Sequence, residues 1–354
     1  LACGALRAVA LAARTLRDLV LTIVHHDDRS PAVIIDARLR RHSVSAVLAS
    51  AAAAADDDIR QFLRTQYPYL APYSKITTCH PRVTHHWLDQ AAVTFLSDEE
   101  YRLAFRARYG LLPVNTYRSR QGAVANRYCA YCNNNGDGPH NETIAHLFNA
   151  CPKLLPAMGR RHDDVATLVL AAVHKARSAV PPGSSTAPAI TVVRERTLGW
   201  LTEGRLHRPA PKAEYCRMTA RTTDPGDLRP DAYVIDVPAR TITPVEFTVP
   251  DDVNIDDAIR AKHDKYDIPL RLCVTEGVLY NYNLAPLAVV AIGTWGTTTP
   301  ETANSLVRIG IPPDAIEPLL RRAVTICMRH NAIIARNRFA VDSRMLAHVP
   351  DPRS

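Results

Sequence analysis

No stretch of this 354-residue chain is long and apolar enough to span a membrane. Leu1–Val24 comes nearest, but Arg7, Arg14, Arg17 and Asp18 interrupt it, so it reads as an amphipathic helix rather than a signal peptide. No paired framework connects the eight cysteines, which points to a reducing, intracellular compartment. No internal repeat is visible. Acidic residues are the scarcer charge: 35 Asp and Glu face 43 Lys and Arg, leaving a net charge of +8. That balance favours a polyanionic partner, nucleic acid above all. The first residue is Leu1 rather than Met, so a fragment of a longer polypeptide is expected.

With 47% hydrophobic and 22% charged residues, the composition is that of ordinary globular domains. The length suggests two or three of them. Leu1–Val24 and Ala32–Ala55 have helical composition, separated by Ser30-Pro31, and Asp56–Asp58 suits a helix start. Ser97-Asp98-Glu99-Glu100 is a capping-box pattern. The helix it opens, Tyr101–Tyr109, stops at Gly110. Arg118, Arg120 and Arg127 then form an arginine-rich flank suited to phosphate contacts. Arg160–Ala179 reads as a long helix, Ala179–Pro188 as a linker, and Ile190–Glu203 as another helix. From Leu228 the pattern changes. Tyr233–Val237, Ile242–Val249, Leu270–Thr275 and Leu287–Gly293 read as strands, and Ile255–Tyr266, Pro300–Ile309 and Pro313–Arg338 as helices. The predicted fold class is α/β.

Two constellations carry chemistry. Cys129-Ala-Tyr-Cys132 has the two-residue gap that lets one turn present both sulfurs to Zn²⁺. His146 and Cys151, five apart, complete four N/S ligands, a closed structural site. His140 is a rival to His146 as the third ligand. A second group, Cys79-His80 with His85-His86, reads as surface residues of a Pro-containing loop. The other constellation is Leu228–Tyr266. Asp231 follows Pro230 at the mouth of a strand. Glu246 sits between Val245 and Phe247, where a buried charge is costly unless a cation pairs with it. Two such carboxylates can hold Mg²⁺ for phosphodiester hydrolysis. Lys262 and Tyr266, four apart, share a helix face, and Lys265 borders it.

These stretches, in this order, resemble the C-terminal region of site-specific non-LTR retrotransposon polyproteins that carry a restriction-like endonuclease of the PD-(D/E)XK type. Leu96–Pro113 resembles the linker. Cys129–Cys132 with Glu142–Cys151 resembles the zinc knuckle. Arg160-Arg161-His162-Asp-Asp-Val165 resembles the following Arg-His helix. Arg229-Pro-Asp231 and Val245-Glu246-Phe-Thr-Val resemble the nuclease strands, Lys262-His-Asp-Lys265-Tyr266 the lysine–tyrosine helix, and Pro286–Ile311 with Trp295 the closing segment. The similarity spans roughly residues 95–340.

The resemblance implies a mostly helical linker (1–126), a zinc knuckle (127–156), a restriction-endonuclease-like mixed sheet flanked by helices (157–338) and a tail (339–354). It implies structural Zn²⁺ on the Cys/His set and catalytic Mg²⁺ on Asp231 and Glu246. Lys262 or Lys265 would serve as the motif lysine, because Thr248 stands two residues after the glutamate where that lysine is expected. Tyr266 would support the site, and Arg118, Arg120, Arg127, Arg160, Arg161, His162 and Arg229 would touch nucleic acid. The implied function is a metal-dependent endonuclease that nicks chromosomal DNA in the nucleus to prime reverse transcription, with the element's RNA a further partner. The alternative is an inactive, zinc-dependent nucleic-acid-binding module. The chain itself carries no paired-aspartate polymerase signature, so a reverse transcriptase is expected elsewhere on the full-length polypeptide.

Overall fold

The computed structural model describes residues 22–24, 33–35 and 41–43, Val83 and His86, and residues 96–108, 112–132, 140–178 and 190–346. The chain divides into two compact units, Leu1–Ser74 and Lys75–Ser354. Of the first, three short strands are described: β1 (Thr22–Val24), β2 (Val33–Ile35) and β3 (Arg41–Ser43). They pair as an antiparallel meander, with Thr22 opposite Ile35 and Val33 opposite Ser43. This corrects the helical expectation for the described residues of 1–55. The segments Thr-Ile-Val and Val-Ile-Ile are β-branched, and such side chains favour a pleated backbone. The rest of the expected helical linker up to residue 74, the Asp56–Asp58 helix start included, lies outside the described residues.

The first helix whose bounds are described in the second unit is α1 (Asp98–Arg108). Its start is the expected capping box: the Ser97 N–H donates to Glu100 Oε2 (2.8 Å), and the Glu100 N–H donates to Ser97 Oγ (3.3 Å). α2 (Asn115–Arg120) follows, and then α3 (Leu155–Ser178), which begins five residues before the sequence reading placed it.

β4 (Ile190–Arg194), β5 (Ala232–Asp236), β6 (Thr241–Thr248), β7 (Asn283–Leu284) and β8 (Ala288–Ala291) form a mixed sheet. β4 and β5 are antiparallel, as are β5 and β6, with Ala232 opposite Val245. β7 and β8 run parallel to β6 along its other edge, with Glu246 opposite Val289. β4 occupies the start of the expected helix Ile190–Glu203. Its Ile-Thr-Val-Val run prefers a strand, and only Leu198–Leu201 (α4) is helical, capped by Thr197.

After α5 (Pro209–Thr219) comes α6 (Ile255–Glu276), which ends at Gly277 with φ of 88°. It runs straight through Leu270–Thr275, expected as a strand. Pro269 lies inside the helix, and the apolar run beyond it keeps helical spacing: Tyr266, Leu270 and Cys273 are buried while Val274 is 58% exposed. α7 (Pro300–Arg308) and α8 (Pro313–Leu346) complete the unit, and α8 continues eight residues into the expected tail.

α3 lies on β4 and β6, α6 on β6 and β8, and α8 against α1 and α3. Alternation along the strands separates the faces. Tyr233, Ile242, Val289 and Ala291 share a core with Ile255, Ile259, Tyr266 and Cys273 of α6. Glu246 lies four residues after Ile242 and opposite Val289, and therefore on that same α6 face. Among the described residues no helix is long and apolar enough to cross a membrane.

Candidate metal centre and carboxylate centre

The Cys/His module is a small hairpin closed by a helical turn. The Cys129 N–H donates to the His140 carbonyl and the Glu142 N–H to the Arg127 carbonyl, both at 2.8 Å, around an antiparallel Tyr128–Asn141 bridge. His146 opens a wide helical turn, His146–Ala150. Cys151 ends it, its N–H on the His146 carbonyl at 2.8 Å.

One ligand atom from each of Cys129, Cys132, His146 and Cys151 lies within 4.8 Å of all the others. The Sγ atoms of Cys129 and Cys151 are 3.9 Å apart, and Cys132 Sγ is 3.4 Å from His146 Nε2. A tetrahedral zinc with Zn–S of about 2.3 Å and Zn–N of about 2.05 Å would set these edges at about 3.8 and 3.6 Å. The set fits such an ion. It selects His146 over His140, which stacks on the His146 ring at 5.5 Å from the exposed side. Burial pushes the Cys151 thiol up to about 12 in the protein alone and holds His146 below its ordinary value, so neither group is stabilised as an ion by its surroundings. Of the Cys79/His80/His85/His86 group only His86 is described. It bonds to the Val83 carbonyl and to Thr325 Oγ1 of α8, a packing role.

A residue the sequence reading passed over holds the module to the rest of the unit. Glu142 is fully buried and pairs with Arg338 of α8 through two contacts, at 2.9 and 3.0 Å. Its oxygens also accept the N–H groups of Asn115 and Ala130. Phe148 packs edge-on against Trp295 of the expected closing segment at 4.9 Å. Asp252 fixes that segment, accepting the N–H groups of Trp295 and Thr297 at 2.7 and 2.9 Å. A Cβ at Gly293 would lie 2.3 Å from an Asp252 oxygen, so only glycine fits there.

Arg161 belongs to this joint. It was expected on nucleic acid, but it is 2% exposed, and its guanidinium donates to Asn331 Oδ1 and to the carbonyls of Phe148 and Val249. On a helix its neighbour His162 points about 100° away, and it reaches a different place.

That place is the carboxylate centre. The β5–β6 register, continued one step, sets Asp231 across from Glu246. Asp231 Oδ2 accepts the Phe247 N–H at 2.7 Å and lies 3.3 Å from His162 Nε2. Burial raises the Asp231 carboxyl, but the His162 bond, the Phe247 N–H and the charges of His162 and Lys262 outweigh it and hold the group below the usual range. The bond to Asp231 in turn lifts His162 to about 9, against its own burial.

Glu246 behaves oppositely. It is 1% exposed, and burial, then the Asp231 charge, raise its carboxyl despite Lys262. Lys262 Nζ makes an ion pair with Glu246 Oε2. Two neighbouring carboxylates driven apart in this way are typical of functional sites.

Lys262 occupies an apolar-stripe position of α6, three residues after Ile259 and four before Tyr266. Its stem therefore runs along the core with its head on the glutamate. That stripe was readable in the sequence and separates Lys262 from Lys265, whose amine sits over the Tyr266 ring at 4.6 Å from the centroid. The Tyr266 hydroxyl lies beside Glu246 and donates to the Arg229 carbonyl at 2.7 Å, which fixes the Arg229-Pro-Asp231 approach. Arg120, Arg127, Arg160 and Arg229 are exposed and Arg118 is half-buried. The association of His162 with Asp231, 69 positions apart, had no signal in the sequence beyond the presence of both residues.

No protein-family model matches the chain, and no curated protein matches it.

Proposed function

We propose that the chain is the metal-dependent endonuclease portion of a non-LTR retrotransposon polyprotein, acting on DNA phosphodiesters. The observation that carries this reading is Glu246: a carboxylate buried in the sheet core, opposite Asp231, with Lys262 reaching it from a helix. A charge so placed is costly to folding and is retained for chemistry. The element order supports a restriction-like core: a helix, a strand, two helices, two further strands antiparallel in turn, a helix and two short parallel strands, with Asp231 immediately before the second strand and Glu246 on the third.

Asp231 and Glu246 would hold Mg²⁺, which supplies an activated water and charge neutralisation at the scissile phosphate. Asp231 fits that part because, among the described residues, both its protein bonds fall on Oδ2 and neither on Oδ1. Lys262 stands where a positive charge can neutralise the phosphate as charge builds up. His162 and the Phe247 N–H fix the Asp231 carboxylate. Zn²⁺ on Cys129, Cys132, His146 and Cys151 would be structural, holding the module against α8 and the Trp295 turn. Arg118, Arg120, Arg127, Arg160 and Arg229 would meet phosphates, and a nuclear location follows from a chromosomal target.

One observation favours an inactive binding module instead: Lys262 and His162 already neutralise both acids. Nicking of supercoiled plasmid in Mg²⁺ decides between the two. The nuclease reading expects cleavage by the zinc-loaded chain and none by Asp231→Ala or Glu246→Ala. A folded chain that binds DNA and never cuts it would establish the inactive module.

A further inference from the structure

Beside the carboxylate centre runs a groove that the catalytic residues do not use. It has a volume of about 530 Å³ and is lined by Ala220, Arg221, Thr222, Thr223, Leu228, Ala261 and Lys265. One wall is the segment after α5, and the other is the outer face of α6, where Ala261 and Lys265 stand one turn apart. Both walls lead to the acids. Leu228 is three residues before Asp231. Lys265 is three residues after Lys262, about 4.5 Å along the helix axis.

The lining is two cations, two threonine hydroxyls and an apolar floor of Leu228 and the alanines, with no carboxylate. Cations and hydroxyls suit phosphate oxygens, and the apolar floor suits the face of a sugar or base. On the far side of Arg221 a smaller hollow of about 250 Å³ is lined by Asp264, Asp267, His263 and Arg271, and His263 pairs with Asp267 at 3.2 Å. Its acids offset its bases, whereas the groove carries cations alone, so the groove is the more favourable of the two for phosphate.

We propose that this groove holds the backbone of the DNA strand adjoining the cleaved bond, with Arg221 and Lys265 on its phosphates. This rests on the endonuclease reading and extends it to the nucleotides one or two steps from the scissile phosphate.

The test uses the full zinc-loaded chain with Glu246→Gln, in Mg²⁺-free buffer, so that binding is read without cutting. Anisotropy of a fluorescent single-stranded DNA is followed over a salt series, with and without Arg221→Ala plus Lys265→Ala. Losing two phosphate contacts should weaken binding about tenfold or more and flatten the slope of log K against log salt by about 1.4. Arg221→Lys with Lys265→Arg should restore both, which separates charge from folding damage. His263→Ala with Arg271→Ala, in the neighbouring hollow, should change neither.

Unchanged affinity and slope in the double alanine variant overturn the groove, whether or not the wild type nicks plasmid. So does failure of the Lys/Arg swap to restore binding in a protein with an unchanged melting temperature. If the double alanine variant loses binding while the wild type never nicks plasmid, the groove stands as a DNA site and the nuclease reading falls.

Discussion

Glu246→Gln should leave this protein as stable as the wild type, or more so, while abolishing the proposed DNA cleavage. Glu246 is held at 1% exposure on the α6 face of the sheet, where ionisation is opposed first by burial and then by Asp231. Its carboxyl is therefore raised, and the charged form lowers stability at neutral pH. The sign follows from linkage. A carboxyl whose folded value exceeds its unfolded value stabilises most when protonated, and that contribution is lost as pH rises through the folded value. Glutamine keeps the shape and removes the charge.

What glutamine gives up is the pair with Lys262, but the lysine side chain is 27% exposed and its head can hydrate. Replacing a buried ion pair by neutral groups ranges from neutral to a gain of a few kcal/mol. Removing only one partner costs about 3–5 kcal/mol when the charge left behind stays buried; Lys262 can turn its head to water, so that penalty is relieved and a gain between about 0 and 2 kcal/mol is expected from losing the buried carboxylate, equivalent to a melting temperature higher by up to roughly 6 °C. Differential scanning fluorimetry of both proteins in Mg²⁺-free, zinc-containing buffer reads this out. The gap should close as pH falls and the wild-type carboxyl protonates. A loss of more than about 2 kcal/mol would refute the reasoning, because Glu246 would then be a structural partner of Lys262 rather than a group held for chemistry.

Further expectations concern the joint, the zinc site and His162. Arg161→Met removes a buried guanidinium with four protein acceptors. It should cost about 3–5 kcal/mol in urea denaturation, and a cost below about 1 kcal/mol would mean that the joint is redundant. Elemental analysis should find one zinc per chain and none in Cys129→Ser or Cys151→Ser, whose melting should match that of the metal-stripped wild type. His162, lifted to about 9 by its bond to Asp231, stabilises fully below about pH 6.5, and the contribution disappears as pH rises through about 9. Its ceiling is roughly 3 kcal/mol. Wild type and His162→Gln should therefore converge in melting temperature above pH 9, and a constant difference across the range contradicts the pairing.

Much of this was legible because it is local. The Ser97–Glu100 capping box, the Cys129/Cys132 turn, the bounds of β5 and β6 to within one residue and the start of α6 all depend on neighbours within a few residues. Apolar runs carry no unique period over short windows, and there the expectation and the fold part. Thr22–Val24, Val33–Ile35 and Ile190–Arg194 lie in stretches of helical composition, but their β-branched residues favour strands. Leu270–Thr275 has the composition of a strand, but its buried positions continue the stripe of α6 past Pro269. The centre itself was half legible. Glu246 announced itself as a charge between Val245 and Phe247, but its partner had to be found from the helix stripe. His162 and Arg161, adjacent in sequence, diverge by the geometry of one helix step, one to Asp231 and the other into the core. Glu142 and Arg338 are 196 positions apart, and only the fold shows that they pair.

The central claim is that Asp231 and Glu246 share a divalent cation. The most direct test is the anomalous signal of Mn²⁺ in crystals of the zinc-loaded chain soaked with that ion. A peak between the two carboxylates, contacting Asp231 Oδ1 and displacing Lys262 from Glu246, is predicted. Full soaking with no peak there, and Lys262 still seated on Glu246, would contradict it.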